Sequence, residues 1–240
     1  MASGLPVAFP LPQDARVNSD THAPLWEAVL FDLDGTLADS VEDVAASANH
    51  VRCAFDLDPL PLETLRGYVG DGIRVLMQRT LERDDPADLD RAIGIWKPHY
   101  EVHGLDHTRP YPGIEELLRL AVARGLRLGV VSNKLESLSV VMLEGLGWGP
   151  MFPVVVGGDS TRKRKPDPEP LLLAMERLGV SPGRTLMVGD SPNDIRAARA
   201  AGCASCGVLW GIGAEAAVRA AQPDHLARVP AEVAALLGGG

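Results

Sequence analysis

Short apolar runs that each close on a polar loop recur along this chain. Ala28-Val29-Leu30-Phe31 ends at Asp32-Leu33-Asp34-Gly35-Thr36. Leu126-Arg127-Leu128-Gly129-Val130-Val131 ends at Ser132-Asn133-Lys134, and Thr185-Leu186-Met187-Val188 ends at Gly189-Asp190-Ser191. Runs of this length bounded by turn-forming residues read as buried strands. Weaker runs at Pro153–Val156 and Ser205–Leu209 share that character. Helical patterns lie between them, at Gly113–Arg124, Leu135–Leu146, Glu169–Leu178 and Pro192–Ala201. Strands alternating with helices need crossover connections, which predicts an α/β fold on a doubly wound parallel sheet.

The stretch from about Ser40 to Arg109 breaks the alternation. It shows helical periodicity only, with Ile73, Leu76, Met77, Thr80 and Leu81 on one face at i, i+3, i+4 spacing. Roughly 70 residues of helix is too much for a loop and suits a small inserted domain. Hinges are expected near Asp39–Val41 and at Pro110-Tyr111-Pro112-Gly113. The expected organisation is therefore a core from residues 27–40 and 110–240, with a helical cap at 41–109. Prolines at 6, 10, 12 and 24 interrupt any helix before Trp26, and Arg16 faces Asp14 and Asp20, which does not suit a transit peptide. Residues 1–26 are expected to be a flexible arm outside the fold.

Charge narrows the partners. Among 240 residues, 23 Lys+Arg stand against 32 Asp+Glu, a formal net charge of −9. Such a chain repels nucleic acid and anionic membrane surfaces, so neither is an expected partner. No apolar run approaches the roughly 20 residues that span a bilayer. Three cysteines cannot build a secreted disulfide framework and fit a reducing compartment, so a cytoplasmic protein is expected, as a monomer or a homodimer with no feature of the sequence choosing between them. Cys203-Ala204-Ser205-Cys206 supplies half of a zinc site at most and reads as buried or incidental thiols.

Ligands of an open parallel sheet collect at the carboxyl ends of its strands. Three of the expected strands end there in Asp32/Asp34, Ser132/Asn133 and Asp190. Carboxylates brought together repel unless a cation sits among them, and an all-oxygen set suits magnesium and a phosphate group. The residue types therefore point to metal-assisted phosphoryl chemistry as the expectation.

In order along the chain, Asp32-Leu33-Asp34-Gly35-Thr36, Ser132, Lys165-Pro166 and Gly189-Asp190-Ser191-Pro192-Asn193-Asp194 resemble the four motifs of the haloacid-dehalogenase-like superfamily. The resemblance covers about residues 27 to 237 and implies a Rossmannoid core with a helical C1 cap. Within the superfamily, Ser132-Asn133-Lys134, Gly157-Gly158-Asp159-Ser160 and Lys165-Pro166-Asp167-Pro168 look most like bacterial phosphoglycolate phosphatases. The resemblance implies that Asp32 attacks phosphorus and that Asp34 serves as general acid and then base. It implies Mg2+ between Asp32, the Asp34 carbonyl and Asp190. Gly35, Thr36, Ser132, Asn133 and Lys165 would grip the phosphoryl oxygens. Dehalogenases of the superfamily lack a carboxylate at the position of Asp34, so its presence points to a phosphate ester as substrate.

Some strings read two ways. Ser191-Pro192-Asn193-Asp194 is also an N-cap, an N1 proline and an acidic N3 residue, so Asp194 can cap a helix, support the site, or do both. Lys165 lies in the basic run Arg162-Lys163-Arg164-Lys165, ordinarily a solvated face, but Pro166 singles it out by favouring extended backbone before it. In the cap, Gly70-Asp71-Gly72 opens a helix, as an ordinary turn or as backbone donors for a substrate carboxylate, with Gly72 and Arg74 then selecting substrate. The cap itself carries 13 acidic and 8 basic residues over 41–110, so an anionic substrate must find local cations. Phosphoglycolate is the expected substrate. A sugar phosphate such as N-acetylmuramic acid 6-phosphate, a nucleotide or a pyrophosphate remain alternatives, as does a non-catalytic regulator, against which Asp32, Asp34, Lys165 and Asp190 are all present.

Overall fold

The structure is a computed structural model that describes residues 25–238. Apart from Leu25 and Trp26, the expected arm lies outside the described residues. Trp26 itself belongs to the core: it is buried, and its indole N–H donates to the Leu236 carbonyl at 3.2 Å.

Strand β1 (Ala28–Phe31) leads to the two-residue strand β2 (Ala38–Asp39). Helices α1 (Val41–Ala54), α2 (Leu62–Arg66), α3 (Ile73–Leu81) and α4 (Pro86–His103) follow, before the chain returns through β3 (Arg109–Pro110). Next come α5 (Ile114–Ala123), β4 (Arg127–Val131), α6 (Glu136–Gly145), β5 (Val154–Val156) and α7 (Glu169–Leu178). The chain continues through β6 (Thr185–Gly189), α8 (Pro192–Ala201), β7 (Ala204–Val208), α9 (Glu215–Ala220), β8 (His225–Ala227) and α10 (Pro230–Leu237).

The main sheet has six strands in the order β5-β4-β1-β6-β7-β8, and every neighbouring pair is parallel. Its central strand is apolar at every position because both faces are covered. Val29 and Phe31 join the larger core with residues of α5 and α6, while Ala28 and Leu30 join a second cluster with Leu171 and Ala174 of α7 and Ala197 and Ala198 of α8. Gly129, between Leu128 and Val130, keeps β4 close to its neighbour, since a Cβ there would crowd Leu30 at 2.8 Å. The edge strand β8 escapes the sequence pattern: three residues with one polar member make no apolar run.

The four helices of the insert leave and rejoin the core through one antiparallel ribbon. Ala38 pairs with Pro110 and Asp39 with Arg109. On α3, Leu76, Met77, Thr80 and Leu81 are buried, the face that the i, i+3, i+4 spacing marks out. Helix α4 starts on Asp85, whose carboxylate accepts from the N–H groups of Ala87 and Asp88 at 2.9 and 3.1 Å, with Pro86 at N1. Asp43 of α1 fastens the return crossing. Its carboxylate accepts from the backbone N–H of His107 at 3.0 Å and from both N–H and Oγ1 of Thr108 at 2.7 Å.

Candidate active site

Parallel strands end together, so β1, β4 and β6 deliver their terminal loops to one edge of the sheet. The edge gathers Asp32, Ser132 and Asp190 there, and the cap lies across it. Between cap and core is a cavity of about 50 Å³, whose core wall includes Asp32, Asp34, Ser132, Asn133 and Lys134. Its cap wall is largely apolar, with Val69, Ile73, Leu76 and Trp96 joined by Gly70 and Gly72.

Asp32 is buried at the end of β1. Its Oδ1 accepts from Leu33 N at 2.8 Å and lies 3.1 Å from Lys165 Nζ, while among the described residues Oδ2 has no hydrogen-bond partner. Burial raises its pKa, Lys165 pulls it back, and the nearby Asp194 raises it further; the net direction is upward. Asp190 ends β6 and is held from three sides. Thr36 Oγ1 donates to Oδ1 at 3.2 Å, and the N–H groups of Ile212 and Gly213 donate to Oδ2 at 2.8 and 2.9 Å. Burial and the charges of Asp32 and Asp194 nevertheless push Asp190 up to about 7.

Ligand oxygens of Asp32, Asp190 and Asp194 lie within 4.8 Å of one another, all buried. Lys165 offsets one of these charges, and the raised pKa values show that the protein alone leaves the rest uncompensated. A hard divalent cation taking oxygen ligands fits this donor set. Asp194 joins the expected Asp32 and Asp190 in this cluster, while Asp34, whose backbone carbonyl alone is the expected ligand, turns its side chain elsewhere. Asp34 Oδ1 and Oδ2 each lie 3.0 Å from Lys134 Nζ, and Ser40 Oγ also donates to Oδ1.

Asp194 does both jobs that its sequence allows. Its Oδ2 accepts from Ser191 N at 3.0 Å, capping α8, and its Oδ1 accepts from Lys165 Nζ at 2.6 Å. A side chain on Gly189 would overlap that carboxylate, which is why β6 ends in glycine. Lys165 leaves its basic run entirely: it is 4% exposed, and the pull of Asp194 and then Asp32 outweighs burial and holds its pKa above the lysine range.

Gly35, Thr36 and Arg74 stand outside the cavity, whereas Asn133 lines it with its amide engaged by backbone carbonyls. Gly35 and Thr36 pack on Asp190 and do not line the cavity; a Cβ on Gly35 (φ +84°) would overlap the Asp190 carboxylate. Asn133 Nδ2 donates to Gly70 O in the cap and to Lys165 O, both at 3.0 Å, so this amide ties cap to core. Arg74 stays outside the cavity and pairs with Asp90 of α4 at 2.5 Å on the exposed face. Gly70-Asp71-Gly72 does reach the core: Asp71 Oδ1 accepts from Asn193 Nδ2 at 3.0 Å, and Asp71 Oδ2 pairs with Arg79 at 2.7 Å.

Sequence reasoning passed over Lys134, Tyr100 and the Ile212/Gly213 amides. Lys134 stands in the Ser132-Asn133-Lys134 string, and Gly211-Ile212-Gly213 follows a strand as a glycine-bracketed loop, so both carried a signal. Burial disfavours the Lys134 ammonium, but Asp34 and Tyr100 outweigh it and raise its pKa. Tyr100 gave no local signal. Cys203 and Cys206 are free and buried, and burial pushes both thiols up to about 12, so neither is primed for redox or metal chemistry.

Residues 29–208 match the family described as haloacid dehalogenase-like hydrolase. The chain belongs to this family. It is 44% identical over 192 residues to the phosphoglycolate phosphatase of Neisseria meningitidis serogroup A, covering 78% of this chain and 82% of that one. It is 43% identical over 190 residues to the phosphoglycolate phosphatase of Chromobacterium violaceum, covering 77% and 86%. Among solved structures, a predicted phosphoglycolate phosphatase from Haemophilus somnus 129PT superposes with a TM-score of 0.80 at 28% identity, over 87% of this chain and 96% of that one. CbbY from Rhodobacter sphaeroides, in complex with xylulose-1,5-bisphosphate, superposes with a TM-score of 0.75 at 25% identity, over 86% and 96%. The resemblance read from the four motifs and the parallel-sheet fold agree with these relatives. No helix among the described residues is long and apolar enough to cross a membrane.

Proposed function

We propose that this protein is a magnesium-dependent phosphatase that hydrolyses a small phosphate monoester, 2-phosphoglycolate first among them, through an aspartyl phosphate on Asp32. The observation that carries this reading is the arrangement of Asp32. One of its oxygens is fixed by Leu33 N and Lys165, the other has no hydrogen-bond partner among the described residues, and the residue lines the cavity.

Asp32 Oδ2 attacks phosphorus, the bond from phosphorus to the ester oxygen breaks, and Asp34 supplies the proton that the leaving alkoxide needs. Water then attacks the same phosphorus, gives its proton to Asp34, and releases phosphate from Asp32. Lys165 and the Ser132 hydroxyl, with neighbouring amides, balance charge on the phosphoryl oxygens. Asp32, Asp190 and Asp194 would hold the metal, directly or through its waters; when bound, it screens the anionic ester from the anionic nucleophile.

Substrate size supports a short leaving group. About 50 Å³ beside the nucleophile suits a few heavy atoms, and the apolar wall of Val69, Ile73, Leu76 and Trp96 offers few hydrogen bonds to a polyhydroxylated sugar. Two lining side chains, Trp96 and Asn133, each keep one buried polar atom, Nε1 and Oδ1, without a partner among the described residues. The 44%-identical phosphoglycolate phosphatase favours the same substrate, while the likeness to CbbY makes sugar phosphates the necessary comparison. Phosphate release from a panel of phosphoglycolate, sugar phosphates, nucleotides and pyrophosphate, with and without magnesium, tests the substrate. Asp32→Asn, folded but inactive and unable to form a trapped phosphoryl adduct, tests the chemistry; full turnover in that variant ends the reading.

A further inference from the structure

Asp34 is braced by a residue of the cap that it never touches. Lys134 Nζ lies 3.0 Å from each Asp34 oxygen, 2.9 Å from Tyr100 Oη and 4.4 Å from the Tyr100 ring centroid. Asp34 and Lys134 belong to the core, whereas Tyr100 stands on α4 of the insert. Trp96, one turn earlier on α4, stacks on the Tyr100 ring at 4.4 Å with planes 10° apart, which holds the phenol in place. The pair is almost dry, with side-chain exposures of 6% for Lys134 and 12% for Asp34.

An ammonium has three N–H groups, and this one has three oxygens to meet. Two donors point at Asp34 and one at Tyr100, so the phenol fixes the rotation of the ammonium and, together with the Ser40 hydroxyl on Oδ1, the plane of the carboxylate. Removing the Tyr100 oxygen would leave a buried N–H unpaired and let the lysine swing. Moving the cap away would do the same, since the core offers no replacement for Tyr100 among the contacts of Lys134.

We propose that Lys134, braced by Tyr100, is a positioning residue that holds Asp34 as the general base for hydrolysis of the Asp32 phosphoryl group, so that this half-reaction runs only with the cap seated on the core. The inference rests on the reading of Asp32 and Asp34 given above. In the step concerned, a water oxygen bonds to phosphorus as its proton passes to Asp34. The bond from phosphorus to Asp32 breaks, and its electron pair returns to the Asp32 carboxylate. Lys134 lines the same cavity, but its Nζ is engaged by Asp34 and Tyr100, so it acts through Asp34 by setting where that carboxylate stands when the water arrives.

p-Nitrophenyl phosphate separates the two half-reactions, because nitrophenolate leaves without a proton. In rapid mixing, Lys134→Met is expected to release close to one nitrophenolate per active site in a burst and then turn over about 10- to 100-fold slower than the parent. Its kcat/KM, which reports the first half-reaction, stays within about 2-fold. Tyr100→Phe shows the same signature at about 3- to 10-fold, Lys134→Arg recovers part of kcat, and acid quenching finds phosphate bound to protein in the slow variants. Equal falls in kcat and kcat/KM without a burst, or no change in either, overturn the proposal. Should Lys134→Met fail to fold, Tyr100→Phe, which loses a single oxygen, decides by the same criteria. Asp34→Asn is the control. If it fails to burst, the reading of Asp34 as base fails and takes the proposal with it; if it bursts and the Lys134 and Tyr100 variants do not, only the positioning role fails.

Discussion

Lys165 Nζ stands 2.6 Å from Asp194 Oδ1, closer than its 3.1 Å to Asp32. The cation beside the nucleophile is thus anchored by a carboxylate from a different loop, and that carboxylate is itself fixed by capping α8. Position of the charge and start of the helix are one structural fact.

Asp194→Ala removes the nearer partner of a buried ammonium and the cap of α8 together. Breaking a buried pair from one side costs about 3–5 kcal/mol. Urea unfolding should show a loss of that size, with activity falling in parallel. A loss below about 1 kcal/mol would mean that Lys165 finds its partner elsewhere.

Magnesium should stabilise the fold as well as support turnover. A cation that binds the folded state alone adds about 2.7 kcal/mol at a hundred times its dissociation constant, which for a chain of this size raises Tm by several degrees. Chelation should abolish phosphate release and magnesium restore it. Asp190→Asn should lose both the thermal shift and the activity. Turnover in excess chelator would remove the metal from the site.

Asp43 should contribute to stability at neutral pH and cease to in acid. Burial raises its pKa, but the hydrogen bonds from Thr108 and His107 outweigh burial and bring it below 3.8. Because the folded value lies below the unfolded one, the stabilisation is complete above about 3.8 and disappears as pH falls through the folded pKa. Asp43→Asn should therefore unfold about 1–3 kcal/mol more easily at pH 7, with the gap to the parent narrowing only as pH falls below about 3.8. A gap constant from pH 7 to pH 2 would contradict the assignment.

Arg74→Ala and Asp71→Ala should separate cleanly. The exposed Arg74–Asp90 pair is worth at most about 1 kcal/mol, so kcat/KM for phosphoglycolate should barely move. Asp71 joins the cap to Asn193 and Arg79 beside the cavity, so its loss should lower kcat/KM about 10-fold or more. Gly72→Val should be worse still, since φ is +88° and a Cβ would overlap the Arg164 guanidinium. Equal effects from Arg74→Ala and Asp71→Ala would mean that the loop acts through the whole cap.

Much of the fold was legible because it is locally encoded. Five of the six main-sheet strands announce themselves as apolar runs, and α8 carries its cap, its N1 proline and its C-terminal glycine in sequence. The two-residue strands β2 and β3 have no periodicity to read, and β8 is strand only because β7 accepts it. Arg74 looked like a substrate ligand because it follows a glycine loop by two residues, yet a helix carries its side chain about 100° further round with each residue, and Asp90 was there to receive it.

The sequence by itself determined which residues end the strands, and with them Asp32, Asp34, Ser132 and Asp190, because backbone sterics and side-chain alternation act over a few residues. Only the tertiary structure decided which carboxylates meet. Asp34 went to Lys134, a hundred residues away, and Asp194 to Lys165, leaving Asp32, Asp190 and Asp194 as the trio. Those choices depend on which loops the sheet order brings into contact and on burial, which makes an unpaired charge too costly to leave. A pattern of hydrophobic and polar positions tells each residue which side to face; it says nothing of the neighbour it will meet there.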